Sequence, residues 1–332
     1  MECLLILSAQ FVQAAPAELL PVTDEGRDVQ QLLHRMQSAP QRVNFSGIFV
    51  YQQGSHVRTS RITHLLEGKN EVEKLEILDG PPREYLRHND EIFCYLPEAR
   101  TLLVENKVAR DVFPAIFASN PAGLASYYLL KRGQMSRVAG HETQELVLEP
   151  RDNLRYGYRL SAEKSTGLVL KAQTMNEKNE VVEQITFTQI QIGNINKARL
   201  RPTFQNTSGW HVENSAVAET DAAGWMVNNI PPGFKRISAI KRTIVDFGSG
   251  TSKAAGELVA ARDVTQLVYS DGVAALSVFI EPGSRSRTEG YMQQGATNIV
   301  GKRQGEFWLT IVGEIPVSAI RQVANSIEFK IK

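Results

Sequence analysis

Between Tyr156 and Gly193 apolar and polar residues alternate in three short runs separated by turn sequences. Tyr156, Tyr158 and Leu160 share one parity; after the turn Lys164-Ser165-Thr166-Gly167, Leu168, Leu170 and Ala172 share another. A polar turn at Asn176–Asn179 leads into a third run, Glu180 to Ile192. Period-2 alternation is the mark of a half-buried strand, and turns this short join antiparallel neighbours. The stretch predicts a three-stranded meander. In its third strand Val181, Ile185 and Phe187 have one parity, whereas Ile190 and Ile192 have the other. Either both faces are apolar there or a bulge shifts the register between Phe187 and Ile190, and both suit a strongly curved sheet.

The same patterns extend outward. Val29, Leu32, Leu33 and Met36 fall at helical spacing and predict one amphipathic helix ending before Pro40. Val43–Gln53 is a strand apolar on both sides, with Phe45 and Phe49 on one face and Ile48 and Val50 on the other. Strands follow at His56–Leu66, Glu71–Leu78, Glu84–Arg87, Glu91–Leu96 and Arg100–Val104. Asp111–Arg132 is strongly apolar but broken by Pro114, Pro121 and Gly123, which predicts short helical pieces plugging the concave side of the sheet. Gln144–Leu148 then leads into the meander.

From Asn194 to Gly209 the periodicity fails, which predicts a linker. Beyond it, Phe234–Val245, Gln266–Tyr269, Ala275–Ile280 and Glu306–Val312 predict strands, with a hairpin turn at Ser270-Asp271-Gly272. Pro316 opens a helix whose stripe is Ile320, Val323, Ala324 and Ile327. The expected architecture is α+β in two units. Residues 24–193 form a curved antiparallel sheet around helices, 194–209 a linker, and 210–332 a smaller α+β unit.

The length of 332 residues agrees with two cores. A formal charge of +1 excludes a strongly cationic nucleic-acid binder. The apolar run Leu4–Val12, followed by Val12-Gln13-Ala14, resembles a secretory leader over residues 1–14, although a basic start is missing and the beginning reads as truncated. Of the 2 cysteines, Cys3 would leave with that leader, so Cys94 stands alone as a small buried apolar residue.

The search for chemistry returns little. The 6 histidines (His34, His56, His64, His88, His141 and His211) lack zinc-like pairing with Cys or Glu, so no metal and no cofactor are expected. No hydrolase elbow, phosphate loop or dinucleotide fingerprint is present in the sequence, and no catalytic residue is expected. Three basic groups remain: Lys197, Arg199 and Arg201; Lys235, Arg236, Lys241 and Arg242; and Arg285 with Arg287. They flank the expected unit junction, where an acidic or phosphorylated partner could use them.

Several segments together carry a resemblance. Gly167–Lys171, Phe187–Gly193, Asn229–Phe234, Tyr269–Gly272, Ser277–Glu281 and Val312–Pro316 are similar, in this order, to the RseB/MucB family of periplasmic sigma-E (AlgU) regulators. The resemblance implies a periplasmic protein with an N-terminal unclosed β-barrel like the lipoprotein carriers LolA and LolB. It implies binding to the periplasmic region of an RseA/MucA-type anti-sigma factor, protection of that factor from site-1 proteolysis, and release by lipopolysaccharide or a related lipid.

On that reading Phe45, Ile48, Phe49, Phe113, Phe117 and Tyr128 are the candidates for an apolar lipid cavity. The three basic groups are the candidates for contacts to the anti-sigma factor or to lipid phosphate. A homo-oligomer stays open. Two rival readings are a lipid or lipoprotein carrier of LolA/LolB type and an envelope hydrolase, the latter disfavoured by the missing nucleophile and base.

Overall fold

Helix α1 (Asp24–Ser38) forms where the apolar stripe predicts it, with Val29, Leu33 and Met36 buried. It tightens into a 3-10 turn at Ala39–Gln41, because Pro40 has no N–H to continue the ladder. The structure is a computed structural model that describes residues 24–106, 123–215, 218–222, 224–247, 258–283 and 287–330. The expected leader, Phe113, Phe117 and Arg285 lie outside the described residues.

Among the described residues, eleven strands follow α1 in the first unit. They are β1 (Phe45–Gln53), β2 (His56–Glu67), β3 (Asn70–Ile77), β4 (Arg83–His88), β5 (Glu91–Leu96), β6 (Thr101–Glu105), β7 (Tyr128–Val138), β8 (His141–Pro150), β9 (Gly157–Glu163), β10 (Val169–Met175) and β11 (Val181–Ile192). With β12 (His211–Ser215) they make one 12-stranded sheet, in the order β12-β6-β5-β4-β3-β2-β1-β11-β10-β9-β8-β7. Among the described residues the sheet is open, with β12 and β7 as its edges. The meander β9-β10-β11 is antiparallel as its turns require.

The parity change in β11 is a bulge. Ile48 of β1 faces Gln189 but Phe49 faces Phe187, so Thr188 is the extra residue, and its hydroxyl donates to the Ile48 carbonyl at 3.2 Å. Ile190 and Ile192 thereby return to the face of Phe187. Beside the bulge, a Cβ on Gly47 would lie 2.8 Å from the Phe187 ring. Gly47→Val is therefore expected to cost about 1–3 kcal/mol by overpacking. A denaturant midpoint equal to that of the parent would count against this packing account.

Three sequence expectations are corrected. Of the expected helical stretch Asp111–Arg132, residues 111–122 lie outside the described residues; Leu124–Tyr127 makes one helical turn, α2, and Tyr128–Arg132 is strand rather than helix. The strand turns back at Ala139-Gly140, both at positive φ (47° and 86°), a tight hairpin that an Ala in the left-handed region disguises in the sequence. Second, residues 194–209 are strapped to the sheet. Arg199 donates to the Ser46 hydroxyl at 3.1 Å, and Lys74 donates to the Arg201 carbonyl at 2.8 Å. The Thr203 N–H bonds Glu84 at 3.1 Å, and Phe204 and Trp210 flank Tyr95. The anchor is a buried Lys74–Glu84 pair at 3.0 Å. β12 then pairs in parallel with β6, so the chain leaves the first sheet at Ser215. Third, Cys94 is half-buried, and its neighbour Tyr95 is the residue of β5 that is buried.

The second unit has a 7-stranded sheet in the order β13-β15-β16-β17-β20-β19-β18. Its strands are β13 (Ala218–Glu219), β15 (Lys235–Phe247), β16 (Leu258–Ser270), β17 (Ala275–Pro282), β18 (Gly290–Gln294), β19 (Thr297–Gln304) and β20 (Phe307–Gly313). β14 (Trp225–Val227) pairs with β21 (Ile327–Phe329). Helix α3 (Val317–Asn325) buries Ala319, Ile320, Val323 and Ala324 against Leu276, Val278, Leu309 and Ile311. The helix was legible because Pro316 precedes its first turn and a 3.6-residue stripe follows, but Ile327, expected at the end of that stripe, lies beyond the helix in β21. The described fold is mostly β-sheet with few helices, so its helix content is lower than the expected α+β class.

Candidate functional site

Cross-strand pairing determines what shares a face. Phe45, Phe49 and Tyr51 lie on the same side as Ile62, Leu75 and Tyr85 to one flank and Phe187, Ile185, Ala172, Leu160 and Tyr158 to the other. Helix α1 packs on the far part of this face, where Val29, Leu33 and Met36 meet Leu146, Leu148 and Leu160. A cavity of about 380 Å³ remains beside it, lined among others by Phe49, Tyr51, Leu75, Tyr85, Tyr158 and Ile185. Val273 and Glu314 of the second unit line the same cavity.

Polar side chains interrupt this apolar wall, among them Arg58, Glu183 and Glu314. The Tyr158 hydroxyl is buried with no hydrogen-bond partner, and burial pushes its pKa well up. Burial, reinforced by the Glu183 carboxylate, likewise moves the Tyr51 hydroxyl upward. Burial also raises Glu183, against the opposing bonds from Tyr51, the Ala296 N–H and Gln53. An apolar space with a few convergent polar groups is suited to holding a ligand. Burial raises the Cys94 thiol as well, the reverse of what a nucleophile needs.

The two units meet beside the cavity at one buried ion pair. Arg155, at the start of the meander, donates to Asp271 at 2.8 Å, and both side chains are 0% exposed. Its remaining N–H groups reach Asp152 at 3.0 Å and the Pro232 carbonyl at 2.7 Å. The guanidinium also lies over the rings of Tyr127, Tyr128 and Phe234. Asp271 accepts from the Tyr128 hydroxyl at 3.1 Å and from the N–H groups of Val273 and Ala274. The turn at Ser270-Asp271-Gly272 therefore closes a hairpin and inserts Val273 into the first unit's core. A second polar link runs from Asn298, fully buried, to the Tyr156 hydroxyl at 3.0 Å. Outside the core, Arg242 pairs with Glu105 at 2.5 Å.

Among the described cavity candidates, Phe45, Ile48, Phe49 and Tyr128, only Phe49 lines the space. Phe45 is buried deeper, in contact with Phe187, and Ile48 points to the opposite face, into a groove with Arg199 and Arg201. Tyr128 belongs to the Asp271 junction. Burial first, and then the Asp271 charge, push its pKa well above the ordinary value. Of the basic candidates, Lys197 pairs with Glu67 at 3.0 Å, Arg242 with Glu105, and Arg287 with Glu281 at 2.9 Å. Lys235, Arg236 and Lys241 are exposed along β15. The sequence reading missed Tyr51, Tyr85, Tyr158, Val273 and Glu314. Period-2 alternation places Tyr158 on a half-buried strand, but nothing local says that its hydroxyl faces a void.

Two family models match the chain: the MucB/RseB N-terminal domain over residues 28–204 and the MucB/RseB C-terminal domain over residues 219–328. The chain is 31% identical over 315 residues to the sigma factor AlgU regulatory protein MucB of Pseudomonas aeruginosa, covering 93% of both chains. It is 21% identical over 306 residues to the sigma-E factor regulatory protein RseB of Escherichia coli, covering 90% of both. Its fold superposes on a structure of the Pseudomonas aeruginosa MucA/MucB complex with a TM-score of 0.68 and 28% identity, over 92% of this chain and 100% of that one. A crystal structure of MucB alone matches with a TM-score of 0.65, 28% identity and coverage of 92% and 98%.

Proposed function

Because the chain belongs to the MucB/RseB family, we propose that it is a periplasmic regulator that binds the periplasmic region of a MucA/RseA-type anti-sigma factor. Bound there, it shields that factor from site-1 proteolysis and holds the sigma-E response down. Lipopolysaccharide or a related lipid enters the cavity of the first unit, an unclosed barrel around α1, and releases it. The observation that carries this reading is the cavity wall. Phe49 and Tyr158 come from the first unit, Val273 and Glu314 from the second, so an occupant touches both units at once. Its differential contacts in two arrangements of the units are what would shift the equilibrium between them.

A cavity of about 380 Å³ is in the range of small-molecule sites. The free Tyr158 hydroxyl is a donor for a lipid carbonyl or ester oxygen. The exposed Lys235, Arg236 and Lys241 remain the contact candidates for the peptide on β15, since Lys197, Arg242 and Arg287 already hold acidic partners. An apolar cavity alone would equally suit a lipoprotein carrier. The second unit's share of its wall favours the regulator.

The test is binding of a labelled MucA-type periplasmic peptide to the full chain, with and without lipopolysaccharide. The proposal expects saturable binding that lipopolysaccharide weakens. Thr174→Trp, which fills the cavity from its half-buried wall, is expected to keep peptide affinity and lose most of the lipid response. A full lipid response in that variant places the lipid elsewhere. Arg236→Glu with Lys241→Glu is expected to lower peptide affinity by roughly tenfold and flatten its salt dependence. Unchanged affinity removes β15 from the contact surface, and capture of acylated lipoprotein in place of the peptide supports the carrier.

A further inference from the structure

His64 is the one histidine that the tertiary structure places among carboxylates in the core. It sits on β2 directly across from Glu73 on β3, and Glu71 is two residues earlier on the same face. The imidazole is 0% exposed and stacks on the Phe45 ring at 4.9 Å. Its Nε2 lies 2.8 Å from the Pro40 carbonyl, an acceptor, so Nε2 carries the hydrogen. That leaves Nδ1 facing the carboxylates, and it makes no hydrogen bond.

Nδ1 is 3.5 Å from Glu73 Oε2 and 3.8 Å from Glu71 Oε1, and the three ligand atoms all lie within 4.8 Å of one another. These separations are long for an N–H···O bond, which prefers about 2.7–3.2 Å. They come close to the edge of a tetrahedron, roughly 3.4 Å for metal–ligand bonds of about 2.0–2.1 Å. The Nε2–H to carbonyl bond is also the outer contact that orients a metal-bound imidazole and sets its tautomer.

We propose that His64, Glu71 and Glu73 bind one divalent transition-metal ion of the Zn²⁺ class, with three protein ligands and a fourth position for water. One neutral imidazole and two carboxylates balance a 2+ charge. The nitrogen ligand disfavours Ca²⁺ and Mg²⁺, which take oxygen. The carboxylates are 16% exposed at the side chain, which leaves an entry path, while the histidine end is dry. The backbone of Glu71 is pinned by Asn89, whose Oδ1 accepts its N–H at 3.0 Å. Arg87 lies across from Glu73 on β4 and adds a nearby positive charge that moderates affinity. In the metal-free chain burial pulls the His64 pKa down, but Glu73, Glu71 and the Pro40 carbonyl outweigh it and hold it above the ordinary value.

The experiment is titration of the untagged full chain with Co²⁺, followed by visible absorption, and then with Zn²⁺. One saturating equivalent is expected, with the intense bands of four-coordinate cobalt that Zn²⁺ bleaches. His64→Gln should abolish the bands. Because a core histidine variant can fail to fold, Glu71→Gln with Glu73→Gln, at partly exposed positions, is the second variant. It should keep its circular dichroism and lose at least tenfold in affinity. No saturable uptake by the parent chain, or uptake by the double carboxylate variant as tight as the parent's, overturns the proposal.

Discussion

Asp271→Ala is expected to destabilise the folded chain by about 3–5 kcal/mol, the usual consequence of leaving one half of a buried ion pair uncompensated. The reason is local and countable. The substitution strands Arg155 at 0% exposure, takes the acceptor from the Tyr128 hydroxyl, and frees the N–H groups of Val273 and Ala274 that hold the turn. Arg155 keeps Asp152 and the Pro232 carbonyl, which softens the loss without cancelling it. Since the pair joins the two units, the loss should fall on their coupling. Denaturant unfolding followed by both tryptophan fluorescence and far-ultraviolet circular dichroism should change from one transition towards two separated ones. A double variant, Arg155→Met with Asp271→Leu, should recover much of the stability, because an apolar pair removes both desolvation penalties. Stability within 1 kcal/mol of the parent for Asp271→Ala alone would show that the junction is held by the apolar contacts of Val273 and Ala296 instead.

Acid should weaken the meander through Glu163. Burial acts to raise its pKa, but hydrogen bonds from the Thr166 hydroxyl, the Ser165 N–H and hydroxyl, and the Thr166 N–H outweigh it and lower the value from 4.5 to about 2. A depressed carboxylate contributes stability that is fully present above its unfolded pKa and disappears as pH falls through its folded one. The window is therefore pH 4.5 down to about 2, and the contribution above it is roughly 3 kcal/mol at about 1.4 kcal/mol per unit. Glu163→Gln should be less stable at neutral pH by that order and should lose its pH dependence across the window. Stability measured by urea unfolding at pH 7, 5, 4 and 3 tests this. Parallel curves for parent and variant would falsify the assignment. The turn that Glu163 holds also seats α1. Gly167, at φ +82°, lets the Arg35 carbonyl approach, and Arg35 reaches back to the carbonyls of Lys164 and Ser165.

If lipid occupancy is read by the second unit, the route available is short. Val273, which lines the cavity, follows Asp271 by two residues, and Asp271 holds Arg155. A ligand that displaces Val273 therefore acts on the same hairpin that fastens the units. This makes Asp271→Ala informative beyond stability, since loosening the hairpin should also blunt any lipid effect on peptide binding.

What the sequence determined by itself was the set of local periods. The meander, helix α1 up to Pro40, the turn at Ser270-Asp271-Gly272 and helix α3 all follow from spacings of two or 3.6 residues and from turn chemistry that acts within a few positions, whereas strand register chose the bulge in β11 over a strand apolar on both faces. The order of similar segments was enough to indicate the family. Only the tertiary structure decided which apolar residues face a void and which are core. Ile48 and Phe49 are neighbours in one strand, yet one faces the strap of residues 194–209 and the other the cavity. The same holds for charge. Arg155 gave no signal as a lone arginine near a turn, and His64 none as a lone histidine, because their partners Asp271 and Glu73 are assigned by hairpin insertion and strand register. Local periodicity is a property of consecutive residues. Burial, ion pairing and a shared cavity wall are properties of surfaces brought together from distant parts of the chain.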